Sequence, residues 1–164
     1  MHLCDSGRMS EAVLSDLVRS LNDLYRLSGS ARVHADTVRR TGVVITQTGL
    51  RFLSLIHDSP RISASDLALA LDVSQPTASR VLQQLENDAY VVRHQSDVDG
   101  RVSHYVASAK GKRALETVHR YHVDRLVFAL AGTEPTYQQA ISHAVTELVA
   151  RLTDGAEGRT ERTA

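Results

Sequence analysis

The sequence has no tryptophan, two phenylalanines and a single cysteine among its 164 residues. With so few large rings, the core has to be assembled from Leu, Val, Ile and Ala. One cysteine excludes an intrachain disulfide. That residue, Cys4, has no basic neighbour before Arg8 to favour a reactive thiolate. No stretch approaches the roughly 18 apolar residues of a membrane span, and no early apolar run resembles a secretory signal. The expected location is therefore cytoplasmic, with no membrane partner. Neither sign of charge dominates, with 19 basic against 19 acidic residues. This excludes a globally cationic nucleic-acid binder, so any basic surface must be local. Glycine-rich phosphate loops, a GxSxG elbow and an HExxH pair are all missing, so the chain reads as no enzyme, with no cofactor.

What the sequence does contain is a globular apolar fraction of 42%, arranged mostly with helical period. Residues 1–9 read as a loose arm. Ser10 is a plausible helix cap, and Leu14, Leu17, Leu21 and Leu24 follow it as one stripe, widened by Val13, Val18 and Tyr25. The stretch 10–45 reads as one N-terminal helix that weakens around Ser28-Gly29-Ser30. A second helix covers Thr46–His57, with Leu50, Leu53 and Ile56 facing inward and Asp58-Ser59-Pro60 as its stop. Ser63-Ala64-Ser65-Asp66 has the form of a capping box opening a short third helix with Leu67, Ala68 and Leu71. Asp72-Val73-Ser74 is a tight turn. Ser74 then caps a fourth helix, with Pro76 in its first turn and Val81, Leu82 and Leu85 on its buried face.

The period changes after Asp88. Tyr90–Val92 and Val102–Val106 favour strands, and the polar run Gln95–Gly100 between them makes a β-hairpin. Lys110 to Ala131 is a long helix, broken by Gly132-Thr133-Glu134-Pro135. A last helix runs from about Tyr137 to Leu152, with Ile141, Val145, Leu148 and Leu152 on one face, and residues 153–164 read as a disordered tail. The expected fold is mostly α with a small β-hairpin wing. A winged helix-turn-helix lobe over residues 46–108 lies between helical regions, 10–45 and 109–152, that serve dimerisation.

Two short helices joined by a three-residue turn place the second helix for the major groove of DNA. That turn needs a residue tolerant of a left-handed backbone, and Asp72 is one of the few alternatives to Gly. The outward residues of the fourth helix are Gln75, Thr77, Ser79, Arg80, Gln83 and Gln84, all hydrogen-bonding groups with one charge among them. Gln suits adenine edges, Arg suits guanine, and Ser or Thr suits bases or phosphates. Ser74 joins them as the cap residue. Asp99-Gly100-Arg101 adds a cation beside the hairpin turn, where a narrow minor groove can receive it.

Three motifs carry a family resemblance. The run Val73-Ser74-Gln75-Pro76-Thr77-Ala78-Ser79-Arg80-Val81-Leu82-Gln83-Gln84-Leu85-Glu86 resembles the recognition helix of the MarR family of winged helix-turn-helix transcription regulators. Asp99-x-Arg101 is similar to that family's wing motif, and Ala109-Lys110-Gly111 matches the start of its long fifth helix. The resemblance covers about residues 10–152. It implies a homodimer built from the terminal helices, an arginine in the minor groove at Arg101, and a regulator, read here as a repressor, on an inverted-repeat operator. It also implies a small phenolic or other aromatic effector held where the dimer core meets the DNA lobe. Arg39, Arg40, Gln47, His57 and His119 are the polar groups available there. The sequence departs from the family pattern where glycine is usual, at Asp72 and Ala89, and where Leu-Thr is usual, at Ala107-Ser108.

Two other readings stand beside this one. The lobe from Ser63 to Tyr105 carries Arg80, Arg93 and Arg101 against Asp66, Asp72, Glu86, Asp88, Asp97 and Asp99. That acidic balance fits a winged-helix protein-interaction module that binds no DNA. His119 and His122 share a helix face and fit a metal-responsive regulator. Operator, effector and sign of regulation are not written in the sequence.

Overall fold

Serine and glycine punctuation divides the first part of the chain into separate helices in the computed structural model, which describes residues 10–59, 61–95 and 103–160. Helix α1 (Glu11–Ser28) opens where Ser10 accepts a hydrogen bond from the Val13 N–H. The stretch expected as one helix is two, because α1 stops at Gly29 and α2 (Ala31–Thr41) starts afresh. The break is local: the Ser28 hydroxyl and the Gly29 N–H both donate to the Tyr25 carbonyl, and Ser30 takes an extended backbone. Gly42, at φ 69°, ends α2 in the left-handed conformation that glycine adopts freely. Thr46 caps α3 (Gln47–Asp58) by accepting from the Gly49 N–H at 3.0 Å.

Next come β1 (Ile62–Ser63), α4 (Ala64–Ala70), α5 (Gln75–Asn87), β2 (Val91–Gln95) and β3 (Ser103–Ala107). The capping box forms as its spacing predicts, with Ser63 Oγ accepting from the Asp66 N–H and the Asp66 carboxylate accepting from the Ser63 N–H. The sheet is antiparallel with order β1-β3-β2, registered by Ile62↔Tyr105, Val91↔Ala107 and His94↔His104. The hairpin expected as two strands therefore has a third, β1. Two residues are too short to show any alternation, and β1 exists only because β3 offers it an edge.

Both helices of the helix-turn-helix end in the same way. After α4, the Asp72 N–H donates to Leu69 O and the Val73 N–H to Ala68 O; after α5, the Ala89 N–H donates to Glu86 O and the Tyr90 N–H to Leu85 O. Each pair is a Schellman closure, which requires a left-handed residue at its centre. Asp72 sits at φ 50° and Ala89 at φ 58°. Aspartate tolerates that region through its short polar side chain, whereas alanine gains nothing in return. Replacing Ala89 by glycine is expected to raise stability by about 1 kcal/mol, since an L-residue there costs roughly 1–2 kcal/mol and part is offset by glycine's freer unfolded chain. A urea midpoint that fails to rise for this variant would remove the strain argument.

The core of this lobe is α3 packed on α4, α5 and the sheet. Phe52, Leu53, Ile56, Leu67 and Leu82 are fully buried. Ala68 and Ala78 are buried between α4 and α5, where small side chains permit close approach of the two helices. Tyr90, Val91, Tyr105 and Ala107 close the core from the sheet side. Helix α6 (Ala109–Ala129) contributes Gly111, Ala114 and Val118 to buried positions.

The chain divides into two compact units between Tyr121 and His122, within α6. The second holds the end of α6, a turn at Gly132 (φ 83°), and α7 (Pro135–Thr160). Pro135 stands at the first position of α7, where its missing N–H costs nothing. Helix α7 continues past residue 153, where a disordered tail was expected. No helix among the described residues is long and apolar enough to cross a membrane.

Candidate nucleic-acid interface

Helix α5 owes its position to both its ends. At the start, Ser74 Oγ accepts from the Thr77 N–H, and the two hydroxyls lie 2.9 Å apart. At the other end, Lys110 Nζ donates to Asp88 O at 2.7 Å and lies 4.3 Å from the centroid of the Tyr90 ring. A cation there satisfies a free carbonyl and complements the negative end of the helix dipole. The Tyr90 hydroxyl titrates above its ordinary range, first because it is buried and then because the Asp88 carboxylate opposes a second negative charge. The Lys110 ammonium is thus spent holding the end of α5, while Arg61, Lys112 and Arg113 present exposed cations.

With Ala78, Leu82 and Leu85 buried, the opposite face of α5 is fixed. Gln75, Thr77, Ser79, Arg80, Gln83 and Gln84 are all exposed. They are not equivalent. Ser74 and Thr77 engage each other to start the helix, and Gln84 Nε2 donates to Asp88 Oδ2 at 2.9 Å. Gln75, Ser79, Arg80 and Gln83 are left as the groups that can turn fully outward. Asn87 lies on the same face, seven residues beyond Arg80, and is exposed. Sequence reading missed it because it sits among the residues that end the helix. Arg101 and its neighbour Asp99 lie outside the described residues.

Beside α5 opens a groove of about 500 Å³ between α2, the Val44–Thr46 segment and α5. Its floor is apolar, with Val38, Ile45, Val81 and Leu85, and its polar groups include His34, Arg80, Gln84 and Asp88. Arg80 therefore borders both the groove and the outward face of α5. None of the polar groups expected for an effector pocket lines it. Arg39 and Arg40 pair with Asp36, and Gln47 Nε2 donates to Ser28 O at 2.6 Å. His57 and His119 are exposed on α3 and α6. Asp36 accepts the Tyr121 hydroxyl, which ties α2 to α6. That hydrogen bond, followed by the one from Arg39, holds the Asp36 carboxyl below its ordinary range. Among the described residues no three His, Cys, Asp or Glu side chains converge as a metal centre would need.

Residues 45–103 match the model of the MarR family. Over that stretch the chain is similar to the MarR family. That span starts just before α3 and ends at the first residue of β3, so it contains α4 and α5. Solved structures share the fold over most of their length. A MarR family protein from Bacillus stearothermophilus superposes with a TM-score of 0.76 at 16% identity, over 89% of this chain and 99% of that one. FabT of Streptococcus pneumoniae, solved in complex with DNA, gives 0.58 at 21% identity, over 88% and 97%. A mutant of S. aureus MepR bound to an oligodeoxyribonucleotide gives 0.56 at 14%, over 88% and 99%. No curated protein matches the sequence. Both left-handed residues of the described lobe, Asp72 and Ala89, lie inside the matched stretch.

Proposed function

We propose that this protein is a sequence-specific DNA-binding transcription regulator, a repressor, that acts as a homodimer on an inverted-repeat operator. The observation that carries this reading is the outward face of α5. Gln75, Ser79, Arg80 and Gln83 are exposed there on a helix held at both ends, and only one of them is ionised. A face that merely meets water is usually rich in Glu and Lys. Uncharged hydrogen-bonding groups of this length suit base edges in the major groove. The likeness to structures solved with DNA supports the same reading.

The dimer is supported by apolar surface that the single chain leaves uncovered. Leu14, Leu17, Leu21 and Leu24 of α1 are between 36% and 62% exposed, and Phe128 and Leu152 in the second unit are 85% and 62% exposed. Stripes of this extent on a soluble helix mark an interface. Two-fold pairing would set two α5 helices about one DNA turn apart, roughly 34–36 Å, which demands a two-fold operator. The test is a gel shift on the DNA upstream of the protein's own coding region, with light scattering on the free protein. A retarded band that resists excess random DNA, from a protein of twice the 18.0 kDa chain mass, is the expected result. A monomer at micromolar concentration would end the dimer reading.

A second reading, a winged-helix module that docks on another protein, is favoured by Leu69. This side chain on α4 is 83% exposed in a lobe with an acidic balance. Failure to retard any DNA in the gel shift would move the assignment to that module. The effector belongs to the proposal as well. The groove beside α5 has an apolar floor with Arg80 and Asp88 at its edge; Arg80 suits the carboxylate of a small aromatic acid, and an occupant that draws it inward would take it from the DNA.

A further inference from the structure

The wing sheet places two histidines directly opposite each other. His94 of β2 and His104 of β3 are direct register partners, one pair in from the outer end of the hairpin at Gln95↔Ser103. Residues directly opposite in an antiparallel pair have Cβ atoms about 4.5–5.5 Å apart on the same face of the sheet. Two nitrogens bound to one zinc ion at about 2.0–2.1 Å stand roughly 3.3 Å apart, which side chains so placed can achieve by ring rotation.

Three features of the surroundings favour a cation here. First, His104 Nδ1 is buried without a hydrogen-bond partner among the described residues. An imidazole with an orphan nitrogen is not locked by a neighbour, and the penalty for that orphan is relieved if the ring turns to share a ligand. Second, the neighbouring cation points away. Arg93 follows the alternation of the strand to the other face, where its Nε donates to Ser103 Oγ at 2.8 Å. Third, on the far side of His104 its register partner is Ser63, whose hydroxyl donates to the Asp66 carboxylate at 2.6 Å. Asp66 thereby fixes a negative charge next to the pair, while the Val92↔Val106 pair supplies an apolar neighbour on the same face.

We propose that His94 and His104 form a two-imidazole clip for a divalent ion of the zinc class, bridging β2 and β3 near the outer end of their ladder. Imidazole ligands suit zinc, copper and nickel and do not suit magnesium or calcium. Among the described residues no third protein ligand completes the site, so water fills the remaining positions of a four-coordinate ion. Asp66 acts through its charge and is not a ligand. The clip ties together the two strands that lead into residues 96–102, the stretch that contains Arg101.

Zinc chloride is titrated into the full chain at constant neutral pH, and the histidine ring nitrogens are followed by long-range proton–nitrogen NMR. His94 and His104 should shift first and together, with one shared dissociation constant. His94→Gln should weaken the zinc response of His104 by at least about tenfold, as loss of a ligand exceeds the 10–100-fold typical of outer-shell partners. His104→Gln should do the same to His94. The backbone amide spectrum of each variant reports whether the wing is still folded, and a variant that loses it is replaced by His→Asn at the same position. If the remaining imidazole responds to zinc as it does in the unaltered chain, or if neither ring responds before the other histidines, the clip is overturned. No DNA is present in this experiment, so its failure and the failure of the proposed function are separate results.

Discussion

Replacing Gly111 by alanine is expected to lower the melting temperature by ten degrees or more, roughly, the fall for a loss of at least about 4 kcal/mol in a chain of this size. A Cβ on Gly111 would lie 2.1 Å from the Tyr90 carbonyl oxygen and 3.0 Å from Leu53 Cδ1. Real Cβ atoms do not approach a backbone oxygen so closely, so one of the two has to move. Neither is free to. The Tyr90 N–H closes the end of α5 on Leu85 O, and its carbonyl accepts from the Ser108 N–H at 3.0 Å. On the other side, the Gly111 N–H donates to Ser108 Oγ, and that hydroxyl donates to Ala89 O. The first turn of α6 is thereby docked on the turn between α5 and β2 through backbone and hydroxyl groups, with the Lys110 ammonium on Asp88 O beside them. Pushing it away also uncovers Leu53, which is fully buried in the core. Lys112→Ala, one residue on and exposed, should change stability by no more than about 0.5 kcal/mol and serves as the control. Thermal melts followed by circular dichroism read both. A Gly111→Ala melt close to that of the control would mean that α6 does not need this close approach.

That contact explains a motif that was legible only as a resemblance. Ala109-Lys110-Gly111 marks the start of a helix in the sequence, but nothing in the sequence says why the third residue must be glycine. The reason is a neighbour, Tyr90, far enough along the chain that no local pattern contains it. The same division holds elsewhere. The caps at Ser10 and Ser63, the left-handed turn at Asp72 and the polar face of α5 are governed by residues within one turn of each other, and each was readable. β1, the Lys110–Asp88 contact and the Asp36–Tyr121 bond join residues 22 to 85 positions apart, and none was readable. The groove beside α5 shows the cost most plainly. Residues were nominated for an effector because they were polar and belong to helices expected at the junction of dimer core and DNA lobe, whereas the groove is bounded by His34 and Arg80, which only packing brings together. Among the site residues, Ser74 and Thr77 are partly occupied by each other, a detail of hydroxyl rotamers that residue types do not reveal.

Arg80→Ala is expected to weaken binding to the operator by about 1–3 kcal/mol, a five- to 150-fold rise in Kd, with far less change on random DNA. Arg80 is exposed, and no contact holds its side chain in the core, so its removal should leave the melting temperature nearly unchanged. The loss then reports a contact with DNA rather than damage to the fold. Arg80→Lys separates the two kinds of contact. A planar guanidinium can make two parallel hydrogen bonds to a guanine edge, and an ammonium cannot, so lysine should recover phosphate binding but not sequence preference. Arg101→Ala in the same assay should weaken binding to an extent that depends on the minor-groove width at the site it enters. Equal losses on operator and random DNA for Arg80→Ala would make Arg80 a phosphate contact and shift base reading to Gln75, Ser79 and Gln83. The variant also tests the effector. Phenolic acids that seat in the groove beside α5 should raise the melting temperature of the unaltered protein and weaken its DNA binding, because the same guanidinium cannot face both ways. With Arg80 removed, both effects should shrink together. A compound that still releases DNA from the Arg80→Ala protein would show that release runs through another element. If no compound moves both the melting temperature and the DNA affinity of the unaltered chain, the protein binds its operator constitutively.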